Sequence, residues 1–180
     1  VDMEEVYDDR SYHKGLYDLI KKEVVEFRER IHEGNRGFLF LYASSLDAYD
    51  FWVNTKYFSR LFSILLDVMF HYSPEEGTVV LQVDEADGSL VVYLLVQVES
   101  HVIVNFSDGK SLDRHRELSY CKRLVQLGYK GEMDIVQNES DYVPAHDCRQ
   151  FSIGEYEERV IAADASFMKI TITIPLDRLR

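Results

Sequence analysis

Cysteine is scarce in this chain. Cys121 and Cys148 are the only two, which gives no disulfide framework and no Cys-x-x-Cys metal knuckle. Three prolines and nine glycines in 180 residues leave no room for low-complexity or fibrous architecture. No apolar run reaches the roughly 18 residues of a bilayer-spanning helix, and no secretory apolar segment opens the sequence. Positive charge is short as well: 20 basic residues against 32 acidic ones give a formal charge of −12. Neither a non-specific nucleic-acid binder nor a protein held to anionic lipid by charge alone carries that field. There is no Gly-x-Ser-x-Gly elbow, no Walker glycine loop and no His-Glu-x-x-His. What the chain does have is apolar material, at 46% with 13% aromatics. That is enough for one domain burying about 70% of its unfolded surface, and it rules out disorder for most of the chain. The first residue is Val1 rather than Met, which reads as a piece of a longer protein with a cytoplasmic setting.

Periodicity divides the chain into elements. Residues 1–14 are charged and tyrosine-rich without a clean period and read as a lead-in or linker. Leu16, Leu19, Ile20, Val24, Phe27 and Ile31 recur at helical steps, with Gly34 placed to end that helix. Strands are predicted at Phe38 to Tyr42 and Tyr49 to Val53, with Trp52 as a core or edge anchor. Asn54 is placed to cap a second helix reaching Tyr72, with Phe58, Leu61, Phe62, Leu65, Val68, Met69 and Tyr72 inward. Thr78 to Val83 and Leu90 to Val98 form a hairpin about Asp87-Gly88. A third helix covers Leu112 to Leu127, with Leu118, Cys121, Leu124 and Val125 inward. Glu132 to Val136 and Phe167 to Ile174 close the list, separated by a long polar stretch from Glu139 to Ala165 that reads as an insertion. Residues 15–176 then form the domain and 177–180 a tail. This order predicts an α+β fold, a two-layer α/β sandwich with three helices on one face of a mixed sheet.

Several of these segments resemble a known family. Ile64 to Gly77 follows "N-x-x-x-N-A-x-K-[FY]-[ST]-P", and Leu118 to Gly128 follows "G-L-x-I-V-K-R-L-V-E-L-H-G". Gly131 to Gln137 and Phe167 to Leu176 follow "G-x-I-x-V" and "F-x-I-x-[IL]-P-L". In order and spacing, Leu16 to Leu176 is similar to the C-terminal ATP-binding domain of bacterial sensor histidine kinases, the GHKL fold shared with gyrase and MutL.

The resemblance also implies what is missing. Where the family keeps an Asn for Mg²⁺ and phosphate, this chain has Val68 beside Asp67, with Met69 in place of the following Ala. The adenine-reading "D-x-G-x-G" falls on Glu99-Ser100-His101-Val102-Ile103, without either glycine. The phosphate-cradling "G-x-G-L" falls on His115-Arg116-Glu117-Leu118, and the lid shortens to Asn105 through Asp113. His71 stands where the family has Lys. Losing such contacts removes about 6–10 kcal/mol at roughly 1.5–3 kcal/mol per charge-assisted bond. A micromolar ligand binds with only about 8 kcal/mol. The implied positions Asp67, Val68, His71, Glu99, His101, Ile103, His115 and Glu117 therefore read as a degenerate nucleotide cleft. The resemblance implies no cofactor and no metal, and it predicts that apolar walls at Val68, Met69, His101 and Ile103 close on one another.

Other residues offer less. His32-Glu33 has an acceptor-type dipeptide but sits at a helix end, where a solvent-facing histidine near the negative dipole is the plainer reading. His13 lacks any acceptor context. His146-Asp147-Cys148 has no partner pair at ligand spacing, and Cys121 falls on a core face. The acids at Glu155-Tyr156-Glu157-Glu158 read as a solvated face or a surface for a basic partner. The resulting expectation is an inactive histidine-kinase-like ATPase domain serving as an interaction module in a two-component pathway. Its implied partners are a response-regulator receiver or sister domains of the parent protein, with homodimerisation through parent helices. The alternatives are a phosphotransfer protein whose acceptor helices lie outside this chain, and a domain binding a different small ligand in the altered cleft.

Overall fold

The computed structural model describes residues 3–98, 112–139, 147–154 and 166–180. In chain order the elements are β1 (Ser11–Lys14), α1 (Tyr17–Glu26), α2 (Arg28–Glu33), β2 (Gly37–Ala43), β3 (Asp50–Val53), α3 (Thr55–Tyr72), β4 (Thr78–Ala86) and β5 (Ser89–Val98). Then follow α4 (Leu112–Arg123), a π-helical turn over Leu124–Gly128, β6 (Glu132–Glu139), β7 (Cys148–Ile153) and β8 (Ser166–Pro175). Six strands form one mixed sheet in the order β6-β8-β5-β4-β2-β7, in which β2 and β4 run parallel and the other neighbours antiparallel. β1 and β3 pair antiparallel in a separate two-stranded ribbon.

Strand alternation decides which face the helices cover. Phe38, Phe40 and Tyr42 of β2, Val79, Leu81 and Val83 of β4, and Ile170, Ile172 and Ile174 of β8 are all buried in one cluster with the helices. α1, α3 and α4 lay Ile20 and Val24, Phe62 and Leu65, and Leu118 and Cys121 against that layer. Each such side chain contributes roughly 1.5–3 kcal/mol by leaving water. The predicted two-layer architecture with its helices on one face is what the chain adopts. Burial of the Cys121 thiol pushes its pKa up to about 12, so it is a core group and not a nucleophile.

Local chemistry sets the element boundaries. The Asn54 side chain accepts the Tyr57 N–H at 3.2 Å, capping α3, and donates to the Asp8 carbonyl at 2.7 Å. Asp87 and Gly88 both take positive φ, at 52° and 77°, as a two-residue hairpin turn needs. The buried Tyr42 hydroxyl accepts the Leu16 N–H at 2.8 Å and ties the start of α1 to the sheet. Burial pushes the Tyr42 pKa up to about 12, which keeps the phenol neutral.

Several expectations are corrected. The first helix is two helices, broken at Phe27 (φ −94°, ψ 6°), and the bend lets the Phe27 ring stack on Phe70 at 5.4 Å. Gly34 ends α2 as expected, as its C-cap, but it is not the left-handed residue there. It has φ −91°, and Asn35 takes φ 49° instead. A Cβ at Gly34 would lie 2.0 Å from the Arg36 guanidinium and would push that side chain aside. Residues 1–14 are not merely a lead-in: Met3 and Val6 are buried, and β1 pairs with β3. Nor is 177–180 only a tail, because Leu179 is buried and its carbonyl accepts the Trp52 N–H at 2.8 Å. The polar stretch after Glu139 contains β7, paired to β2 with Phe151 opposite Phe40. Of the two places expected for Trp52, the core is excluded by its 46% exposure, and it stands on the two-stranded ribbon opposite Tyr12.

Candidate functional site

The site implied by the resemblance lies where α2, the C-terminal half of α3 and the start of α4 meet. Helical phase places Val68 and Met69 on the core side of α3, both fully buried, while Asp67 is one step round and one-third exposed. The Asp67 carboxylate takes Arg30 of α2 at 2.5 Å on one oxygen and Arg114 of α4 at 3.2 Å on the other. Arg114 also meets Glu117, three residues on, at 2.9 Å. Three helices are thus tied through one carboxylate. Arg30 also lies over the rings of Phe27 and Phe70, each centroid 5.6 Å away, so its alkyl and guanidinium surfaces pack as well as pair.

Behind this cluster, Arg36 closes two helix ends. Its guanidinium donates to the Arg30 carbonyl of α2 at 3.2 Å and to the Ser73 carbonyl after α3 at 3.0 Å. The Arg30 carbonyl also accepts the Gly34 N–H at 3.4 Å, so Arg36 adds a second donor at the end of α2 and ties it to the residue that ends α3.

Among the positions named from sequence, Asp67, Val68 and Glu117 come together here. His71 is exposed at the end of α3 with its ring against Tyr72, and His115 is exposed on α4. Glu99, His101 and Ile103 lie outside the described residues, as does the shortened lid through Ser111. His32 is exposed at the end of α2, as expected for a helix-end histidine. His13 is half-buried and shares hydrogen bonds with Ser11 and Thr55 at 3.1 and 3.3 Å. His146 lies outside the described residues, and among those described no three His, Cys, Asp or Glu side chains gather as a metal site. Likewise, among them no helix is long and apolar enough to cross a membrane. Sequence reasoning missed Arg30, Arg36 and Arg114. Arg30 is 37 residues from Asp67, and neither charge carries a local signal of the other.

No protein-family model matches the chain, and no curated protein matches it in sequence. The likeness is to solved structures. The catalytic domain of histidine kinase ThkA superposes with a TM-score of 0.63 at 13% identity, over 93% of this chain and 95% of that one. The fold is that of a histidine kinase catalytic domain. The mycobacterial sensor histidine kinase MprB matches this histidine-kinase-like domain with a TM-score of 0.61 at 15% identity, over 92% and 97% of the two chains. ThkA in complex with the response regulator TrrA matches with a TM-score of 0.56 at 12% identity, over 92% of this chain and 42% of that one. At these identities the likeness establishes the fold alone.

Proposed function

We propose that this histidine-kinase-like domain is a signalling module of the two-component kind that has given up nucleotide turnover and works through protein contacts on the cytoplasmic side. The observation that carries this reading is Val68. It stands where the resemblance expects the Mg²⁺-holding Asn, and its side chain is fully buried. The neighbouring Asp67, the nearest oxygen donor on α3, is already engaged by Arg30 and Arg114. A buried isopropyl group cannot ligate a hard cation. A carboxylate between two guanidinium groups gives up both pairs if it turns to a metal. Asp67, Val68, His71, His115 and Glu117 are then remnants of a cleft whose α3 wall serves packing. The protein partner we favour is a receiver domain or a sister domain of a parent protein. ThkA, which shares the fold, was solved with a response regulator.

Isothermal titration with Mg-ATP and Mg-ADP tests the reading. The expected result is no binding tighter than about 100 μM, which corresponds to less than roughly 5.5 kcal/mol. Saturable binding below that concentration would return the chain to the nucleotide-dependent enzymes. A second measurement concerns the acceptor role: no acid-labile phosphate is expected on the isolated chain when an active kinase and ATP are supplied. Label that is lost in His32→Ala would overturn this.

A further inference from the structure

The ribbon of β1 and β3 carries two features on one side that a closed, self-sufficient domain hides. The first is aromatic. Tyr12 and Trp52 are cross-strand neighbours, 50% and 46% exposed, with ring centroids 5.5 Å apart and planes tilted by 57°. They are held ready. The Tyr12 hydroxyl donates to Asp50 at 2.7 Å, and Lys14 pairs with the same carboxylate at 3.3 Å.

The second feature is a strand edge that no other described strand pairs with. Gly15 donates to the Tyr49 carbonyl, which fixes the alternation of the antiparallel ladder. Ser11 and His13 therefore face β3 with their main-chain groups, while those of Tyr12 and Lys14 point away from it. The Trp52 N–H confirms this phase, because it turns away from β1 to the Leu179 carbonyl. Among the described residues, no main-chain bond covers the outward groups of Tyr12 and Lys14. Proteins ordinarily protect such an edge, and one lying beside exposed Tyr and Trp is a template for another strand.

We infer that the β1 edge docks an extended segment of a partner protein as an added strand, with an aromatic or branched aliphatic side chain laid on Tyr12 and Trp52 and with lysine or arginine nearby. Charge selects that partner. The exposed residues leading into β1 are Glu4, Glu5, Asp8 and Asp9 against Arg10, and Lys14 is already matched by Asp50. Area argues for a segment over a second copy of this chain. Two half-exposed rings offer far less than the roughly 800 Å² per partner of a stable dimer. The inference is independent of whether the α3–α4 site binds nucleotide.

The test uses the full chain and a displayed library of random dodecapeptides, followed by synthesis of the enriched sequences. Trp52 is the chain's one tryptophan, so its fluorescence reports the patch directly. The expected result is enrichment of sequences with a central apolar residue flanked by Lys or Arg, which shift Trp52 emission on binding. Trp52→Phe, Tyr12→Ala and Trp52→Ala separate reporter from contact: the two alanine variants should each lose about ten-fold in affinity, measured by anisotropy of labelled peptide. Lys14→Pro removes an outward N–H that the β1–β3 ladder does not use, and proline is tolerated on such edges. It should lose about as much, whereas Lys14→Ala should lose no more than about three-fold. Slowed hydrogen exchange at the Tyr12 and Lys14 amides on adding peptide gives a readout that needs no variant. No enrichment, or binding unmoved by Trp52→Ala and Lys14→Pro, overturns the inference. Dimerisation of the wild type that Trp52→Ala abolishes also overturns it, in favour of a second copy.

Discussion

The α3 wall and the β1–β3 ribbon treat large apolar side chains in opposite ways. On α3, Val68 and Met69 face inward and are fully buried, Val68 at the position that the resemblance assigns to ligand contact. On the ribbon, Tyr12 and Trp52 stand half-exposed beside an edge that no other described strand pairs with. Buried aliphatics stabilise the fold by leaving water, while exposed aromatics keep apolar surface available for contact. Among the described residues, the ribbon therefore keeps large apolar side chains in water, and the α3 wall buries its own in packing.

The sharpest way to break that comparison is to put the polar group back. Val68→Asn leaves an amide on the apolar side of α3 and should destabilise the domain by about 1–3 kcal/mol, read by urea denaturation. It should not create Mg-ATP binding. A neutral effect on stability would mean that the wall has room for a ligand-type side chain. The next largest effect is expected from Arg36→Ala, which strips charge-assisted bonds from two helix ends and should cost about 2 kcal/mol. Arg36→Lys should recover less than half of that, since one ammonium cannot span the Arg30 and Ser73 carbonyls as a planar fork does.

Asp67→Asn is expected to cost only about 0.5–1 kcal/mol, because its partners are partly exposed and screened by water. That cost should shrink further at 1 M salt. A loss several-fold larger would show that the cluster, and not apolar packing, holds α3 to α4. The smallest effect belongs to the ribbon. The hydrogen bond from Tyr12, and then that from Lys14, hold the Asp50 pKa below its ordinary 3.8. A carboxyl lowered on folding contributes stability above its unfolded value and loses it as pH falls through the folded one. The ribbon should therefore loosen only below about pH 3.8, and Tyr12→Phe should move the Asp50 titration back up. An Asp50 titration unchanged in Tyr12→Phe would mean that Asp50 does not pre-set the ring.

Much of the fold was legible because its signals are local. α3 announces itself by an Asn54 cap and a seven-residue apolar stripe, of which all but Tyr72 are buried. The β4–β5 hairpin follows from Asp87-Gly88 between β-branched runs. β1 and β7 were not legible. β1 is Ser-Tyr-His-Lys, with no apolar alternation, and it exists because β3 lies alongside. β7 offers only Phe151 and Ile153 inward, and cations complete it: Lys21 lies 4.5 Å from the Phe151 ring, and Arg149 lies 3.7 Å from that of Tyr17. The break at Phe27 was hidden for a similar reason, since its partner Phe70 belongs to another helix.

By itself the sequence determined where the helical segments lie, though not the break at Phe27, and with them the central hairpin, the two-layer order and the place of Val68 on a core-facing stripe, because period, caps and turns act over a few residues. Only the tertiary structure decided that Asp67 is held between Arg30 and Arg114, that Arg36 closes two helices, and that Trp52 faces solvent beside Tyr12. Each of those depends on which distant backbone comes within 4 Å or leaves a face uncovered. No local rule of charge or hydrophobicity carries that information.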